Sequence, residues 1–389
     1  MPVEDFFASC PRGLESLLVD DLLHAGAREC RAIPGGAHFV GDWPACYRAN
    51  LESRIATRVL WRVAQGAYAT EEDIYRLALD TPWPRWFAAE QTLRVDLDAK
   101  NSPLRSLDFV TLRIKDAVCD RFRRELGVRP SVDTRSPDVR VQAFIDRHGC
   151  TLYLDTSGAP LYQRGYRQKT VDAPLKENLA AGILRLTGWE PGIALLDPMC
   201  GSGTFLLEAA QMVLGVAPGA RRSFAFQRLR NFSSASWQQI LDRARSAERS
   251  AGEVRVFGSD ASPVAVRAAL ANLDRGRLLS AVQLRTADVR EAEAPAPTGI
   301  LVANPPYGER AADRDELASF YPALGSALKR HFAGWRCYLF SADTRLPGLL
   351  RLTPARKTPL FNGALDCRLY EFRMVAGSNR RPTATANPG

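Results

Sequence analysis

Four residues, Asn304-Pro305-Pro306-Tyr307, directly follow the apolar run Ile300-Leu301-Val302-Ala303, and their types suit the capture of a planar exocyclic amine. Such an amine is a poor nucleophile because its lone pair is conjugated into the ring. The Asn304 side-chain oxygen and a carbonyl of the Pro305-Pro306 segment can each accept one N–H, leaving the lone pair aimed at an electrophile, while Tyr307 stacks on the base. The two prolines fix φ and remove competing donors. The same tetrapeptide also reads as a plain Pro-Pro loop that ends a strand. Both readings stand on these residues alone.

Three carboxylates share this placement. Ile193 to Leu196 precedes Asp197, Val254 to Phe257 precedes Gly258-Ser259-Asp260, and Val282 to Thr286 precedes Asp288. Apolar runs of this length read as buried parallel strands, so the polar tips should line one sheet edge, where open α/β sheets bind ligands. After Asp197 comes the loop Pro198-Met199-Cys200-Gly201-Ser202-Gly203-Thr204, then Leu206, Leu207, Ala209 and Ala210. Gly201 and Gly203 allow close backbone approach to a ligand at a helix start. A dinucleotide fingerprint wants Gly or Ala where Leu206 stands, and no Gly-Lys-Ser/Thr marks a P-loop. A carboxylate directly before the loop suits a ligand without phosphates, and S-adenosylmethionine fits. Asp197 is expected near its ammonium or sulfonium, Asp260 at the ribose hydroxyls and Asp288 at the adenine amine. Pro198, Cys200, Thr204, Ala261, Val289 and Asn304 are expected as further cofactor contacts. Single Asp residues after strands also serve as helix N-caps, which remains the alternative for each acid.

Taken together, Asp197-Pro198-Met199-Cys200-Gly201-Ser202-Gly203-Thr204 and Asn304-Pro305-Pro306-Tyr307-Gly308 resemble the Rossmann-like, S-adenosylmethionine-dependent RNA methyltransferases that carry a THUMP domain. Within them the likeness is to bacterial 23S rRNA guanine-N2 methyltransferases. Phe6 to Glu15, Leu161 to Arg167, Lys176 to Ala181 and Phe361-Asn362-Gly363 carry it further, and it covers the chain to residue 375. The resemblance implies an α/β fold: a seven-stranded mixed sheet in a Rossmann-like methyltransferase domain, preceded by a ferredoxin-like/THUMP α+β region that binds RNA. It implies methyl transfer to the N2 amine of a guanosine in 23S rRNA, with Asn304, Pro305, Pro306 and Tyr307 catalytic and Asn178 close to the cofactor. Methylation of guanine N2 in tRNA, methylation of adenine N6, and a non-catalytic RNA-binding assembly factor on the same scaffold are the alternatives. Some relatives are fusions with a second methyltransferase domain; one such domain, and so one activity, is expected here.

Composition agrees with a polyanionic partner. The 389 residues carry a formal net charge of +9, and 46% hydrophobic content supports more than one core. Arg outnumbers Lys, which a GC-rich genome also explains. Eight scattered cysteines without a C-x-x-C pair, and four His, make neither a disulfide framework nor a zinc site. The expected address is a reducing cytoplasm, with no membrane segment, no metal and a monomeric chain. Cys200 is read as a small packing residue rather than a nucleophile, because an amine needs no covalent adduct to attack.

Along the chain, residues 1–60 read as a ferredoxin-like region continuing to about residue 90, 61–158 as a THUMP-like module, 159–376 as the methyltransferase domain and 377–389 as a disordered tail. Asp5 to Ser9 should be a strand, Gly13 to Leu23 a helix, Gly35-Gly36 a hairpin, Trp43 to Arg62 an amphipathic helical region, and Thr70 the start of another helix. A helix with Ile114, Val118 and Phe122 on one face carries Arg113, Lys115 and Arg121 as RNA-backbone contacts; an ordinary solvated charged face is the alternative. Past a linker at Gly158-Ala159-Pro160, Arg164, Arg167 and Lys169 are expected at phosphates. An insertion, Ala217 to Gly252, adds Arg221, Arg222, Arg228 and Arg230 interleaved with Phe224, Phe226 and Phe232, aromatics that either stack on bases or pack the insertion onto the sheet.

Overall fold

The computed structural model describes residues 3–166, 175–306 and 311–375. It divides into two compact units. One takes in the described residues within 1–169, 176–182 and 215–249, and the other those within 170–175, 183–214 and 250–389.

The first unit is built on one sheet. In chain order its elements are β1 (Glu4–Ser9), α1 (Glu15–His24), β2 (Arg28–Ile33), β3 (Gly36–Gly41), α2 (Trp43–Glu52), β4 (Arg58–Gly66), α3 (Glu71–Asp80), β5 (Leu93–Lys100), α4 (Leu107–Leu126), β6 (Val139–Asp146) and β7 (Cys150–Asp155). The strand order is β2-β3-β1-β4-β7-β6-β5, so the ferredoxin-like and THUMP-like stretches share a continuous sheet through the β4–β7 pair. Period-two patterning places its core: Val139, Val141, Ala143 and Ile145 of β6 are buried, as are Leu14, Leu18 and Leu22 at helical spacing. Thr70 and Asp73 close a capping box at the start of α3, as the Thr-Glu-Glu-Asp sequence predicts.

The expected helical region from Trp43 to Arg62 needs correction, since the helix stops at Glu52 and Arg58–Gly66 is a strand. A long-range contact sets that break. The Asp21 carboxylate on α1 accepts from Ser53 Oγ at 2.8 Å, Arg54 N at 2.9 Å and Ile55 N at 3.2 Å, which turns the chain out of the helix. Val59, Leu60 and Trp61 are then all buried between β1 and β7.

The insertion carries α7 (Ser234–Ser246) and belongs to this first unit. Its aromatics pack on α2: the Tyr47 and Phe226 rings lie 4.5 Å apart, Phe224 stacks on Phe226 at 5.2 Å, and Trp237 meets Phe226 edge-on at 5.1 Å. Phe224 and Phe226 are buried, which settles the choice between stacking on bases and packing in favour of packing, and the surface they pack on is α2.

The second unit is a seven-stranded mixed sheet, as expected. After α5 (Glu177–Leu186), which runs from the first unit into it, come β8 (Leu195–Asp197), α6 (Thr204–Leu214), β9 (Val256–Asp260), α8 (Pro263–Gly276), β10 (Val282–Thr286), β11 (Ile300–Ala303), α9 (Ala311–His331), β12 (Arg336–Ser341), α10 (Leu346–Leu350), β13 (Arg356–Asn362) and β14 (Leu365–Arg373). The order is β10-β9-β8-β11-β12-β14-β13, with β14 antiparallel to both neighbours and the first five strands parallel. Every residue of β8 and β11 is buried, as a parallel strand covered on both faces requires. Two strand starts lie later than expected, Leu195 instead of Ile193, which is exposed, and Val256 instead of Val254. No helix among the described residues is long and apolar enough to cross a membrane.

Candidate active site

Register brings the polar tips to one edge. Leu196 of β8 stands beside Phe257 of β9 and beside Leu301 of β11, while Thr286 of β10 stands beside Asp260. Asp288, Asp260, Asp197 and Asn304 therefore end four successive strands, about 5 Å apart from strand to strand. From β8 the chain winds outward to β9 and β10, then crosses back to β11 on the other side of β8. Strand order thus reverses between Asp197 and Asn304, the place where an open α/β sheet leaves its crevice.

The loop after β8 is tied to the tip of β9. Cys200 N donates to the Ser259 carbonyl at 3.0 Å, and Gly201 N donates to Asp260 Oδ2 at 2.9 Å. Asp260 Oδ1 also accepts from Ser262 N at 2.9 Å. Gly203 has φ of +85°, and a Cβ there would come within 3.1 Å of the Ala269 side chain on α8, so this close packing takes glycine. Thr204, Pro198 and Val289 are buried around the loop, and Ala261 is exposed.

Asp197 is the electrostatic centre of the edge. It is 2% exposed, and its hydrogen bond is a long one, 3.3 Å from Met199 N. Burial first, and the nearby Asp260 charge second, push its carboxyl well above the usual carboxylate range. A buried acid beside a second acid, with no cation among the described residues to offset either, is a fitting receptor for a positively charged ligand group. The Cys200 thiol is also raised, by burial and by Asp197 and Asp260, so it remains protonated and its reading as a packing residue holds. Asp288 differs from expectation in its present engagement: Arg290 grips both its oxygens, at 2.9 Å and 3.0 Å from Nε, and this holds its carboxyl below the usual range.

On the far side of the switch point, Asn304 is half-buried, Pro305 buried and Pro306 exposed. Tyr321 on α9, a residue that sequence reasoning missed, donates from its hydroxyl to the Pro306 carbonyl at 2.6 Å. Only spacing relative to the neighbouring motif could have flagged it. Asn178 lies in the first turn of α5, within the first unit. Its amide nitrogen donates to Ile55 O at 3.1 Å and Thr57 Oγ1 at 2.9 Å, and its Oδ1 is buried with no partner among the described residues.

The expected RNA contacts meet mixed outcomes. Arg113 pairs with Glu72 and lies 4.0 Å over the Tyr75 ring, Lys115 pairs with Asp116, and Arg121 pairs with Glu125. Arg164 and Arg222 are corrections. Arg164 is 2% exposed and donates to the Leu161 and Arg54 carbonyls, while Arg222 donates to the carbonyls of Ser157, Ala159, Pro160 and Gln163. Both hold the interior around the supposed linker, because a guanidinium fork can satisfy several backbone acceptors at once. Arg221 is exposed. Tyr307, Arg167, Lys169 and the expected tail lie outside the described residues.

A sheet of this order with a reversed seventh strand, and with acids and a carboxamide on its C-terminal edge, defines the class of Rossmann-like methyltransferases. The chain belongs to the family described as "RMKL-like, methyltransferase domain", which matches residues 164–371. A THUMP domain matches residues 68–155 and the RlmL ferredoxin-like domain residues 5–60, as the sequence resemblance implies. A candidate RNA methyltransferase of Synechocystis, slr0064, is 36% identical over 95% of this chain and 96% of its own length. The ribosomal RNA large subunit methyltransferase K/L of Aeromonas salmonicida is 38% identical over 97% of this chain and 55% of its own, so the chain spans about half the length of that relative. Among solved structures, SMU.472, a candidate methyltransferase in complex with SAH, superposes with a TM-score of 0.88 at 25% identity, covering 97% of this chain and all of that one.

Proposed function

We propose that the chain is an S-adenosylmethionine-dependent RNA methyltransferase that modifies the exocyclic N2 amine of a guanosine in 23S rRNA. The observation that carries this reading is the placement, at neighbouring strand tips on either side of the switch point, of the buried Asp197 and the carboxamide of Asn304. S-adenosylmethionine, when bound, supplies an electrophilic methyl group and a cationic amino-acid end. Asp197 would take the cationic end, Asp260 the ribose hydroxyls, and Asp288 the adenine amine after exchanging Arg290 for it. The SAH held by SMU.472 and the ribosomal RNA named for the K/L relative support the cofactor and the RNA class.

Asn304 and the prolines hold the amine. Because Tyr321 already engages the Pro306 carbonyl, we assign the second amine N–H to the Pro305 carbonyl, with the Asn304 oxygen taking the first. Two fixed acceptors orient the lone pair, which converts an encounter into a positional reaction and needs no strong base before transfer. Tyr321→Phe should lower kcat by about 3–10-fold, the effect of one buried hydrogen bond, and leave the cofactor Kd unchanged. Single-turnover kinetics beside a cofactor titration measures the split, and an unchanged kcat would remove Tyr321 from the mechanism.

The proposal is tested by incubating the purified chain with methyl-labelled cofactor and either 23S rRNA or tRNA, then digesting to nucleosides. Label in N2-methylguanosine from 23S rRNA is expected. Label confined to tRNA, or found in N6-methyladenosine, would replace it with that alternative, because the acceptor pair by itself accepts either amine.

A further inference from the structure

We infer that an arginine-lined pocket in the first unit holds the phosphodiester backbone of the RNA substrate, an inference that rests on the function proposed above. The cavity, about 410 Å³, is lined by Arg58, Arg135, Arg140 and Arg228, with Asp138 and Phe224 between them. Four stretches of chain build it: the start of β4, the segment leading into β6, Gly158-Ala159-Pro160 after β7, and the insertion.

The charges are layered. The Asp155 side chain is fully buried and pairs with Arg58 while lying 3.8 Å from Arg140. Asp96 pairs with Arg140, and Asp138 with Arg228 at 2.7 Å. Behind the rim stands Arg222, enclosed by backbone carbonyls; burial and the neighbouring Arg164 and Arg58 lower its basicity to about 10. Five guanidiniums (Arg58, Arg135, Arg140, Arg222 and Arg228) thus answer three carboxylates (Asp96, Asp138 and Asp155), and Arg135 is exposed with no side-chain partner among the described residues. The acids lie against the arginines as braces, since each pair engages only part of a fork with five N–H donors. A braced fork with donors to spare matches phosphate oxygens in bidentate geometry at little further entropic cost. The hydroxyls of Ser136 and Ser223 also line the cavity. A net charge of +9 draws a polyanion toward such a pocket.

Most of these are not the basic residues expected at RNA from the sequence. Arg113, Lys115, Arg121 and Arg164 are engaged with acids or carbonyls elsewhere, whereas Arg58, Arg135 and Arg140 stand in segments without a basic run and Arg228 belongs to the arginine-rich insertion.

The experiment uses the full chain, a fluorescent single-stranded RNA oligonucleotide of mixed sequence, and anisotropy titrations over a series of salt concentrations. Arg135→Glu, and Arg135→Glu combined with Arg228→Glu, should weaken binding by about tenfold or more near 0.1 M salt and reduce the slope of log K against log salt by about one per lost phosphate contact. Melting temperature and cofactor affinity should stay at the wild-type values. If the wild-type chain binds RNA and both variants keep its affinity and slope, the pocket assignment is overturned, and an acidic protein partner becomes the occupant to test. If the wild-type chain binds no RNA at all, the functional reading fails together with it.

Discussion

Replacing Asn304 with Ala should reduce kcat by about 10²–10³-fold, the scale on which a single preorganised hydrogen-bonding group acts at a reacting centre. In the proposed mechanism the Asn304 oxygen is one of two acceptors that free the amine lone pair, and the other, a proline carbonyl, cannot hold a planar amine in orientation by itself. Asn304 ends β11, on the opposite side of the switch point from Asp197 and Asp260, so the cofactor Kd should change by no more than about threefold, below half a logarithmic unit of affinity. The change should appear in kcat with little movement of the cofactor KM, since the lost contact is made to the reacting amine. Near-wild-type turnover would remove the carboxamide from the mechanism.

Asp197→Asn should move stability and binding in opposite directions. Because burial and Asp260 raise the Asp197 carboxyl above its value of 3.8 in the unfolded chain, the unfolded state ionises first as pH rises. The folded state is therefore penalised progressively from about pH 4 up to the raised folded value, and the full penalty remains above it. Removing the charge removes the penalty. The cofactor-free variant should melt above the wild type at neutral pH, with the difference vanishing below pH 4, as scanning calorimetry over a pH series would show. The same change deletes the anion facing the cofactor's cationic end, and affinity should fall by about tenfold to a hundredfold, the worth of a charge-assisted hydrogen bond in a buried setting. A variant that melts no higher than wild type, or binds the cofactor equally well, would contradict the reading of Asp197 as an acid kept at a cost in stability for its ligand.

The methyltransferase half was legible because its central strand is a short, wholly apolar and buried run, although the edge strand Val282–Thr286 carries Gln283 and Arg285 and has no buried residue. Val282–Thr286 and Ile300–Ala303 fall on the residues the pattern marks, and Asp197, Asp260 and Asn304 come out at neighbouring tips. What sequence could not reach is set by contacts between distant residues. Asp21 turns the chain after Glu52, so a pattern read as one helix is a helix and a central strand. Tyr47 collects Phe226, Phe232 and Trp237, which draws the insertion to the first unit although it lies between two strands of the second. Arginine was the hardest residue to place. Arg222 is spent on carbonyls from 157–163, while Arg58 and Arg140 meet over a shared Asp155, and no local signal separates these fates.

The measurement that bears most directly on the account is nucleoside mass spectrometry of 23S rRNA and tRNA from a strain lacking this chain, compared with the same strain re-expressing the wild type or Asn304→Ala. The account predicts that N2-methylguanosine disappears from a single 23S position, returns with the wild type and stays absent with the variant. Unchanged 23S rRNA in the deletion strain, or full restoration by Asn304→Ala, would contradict it.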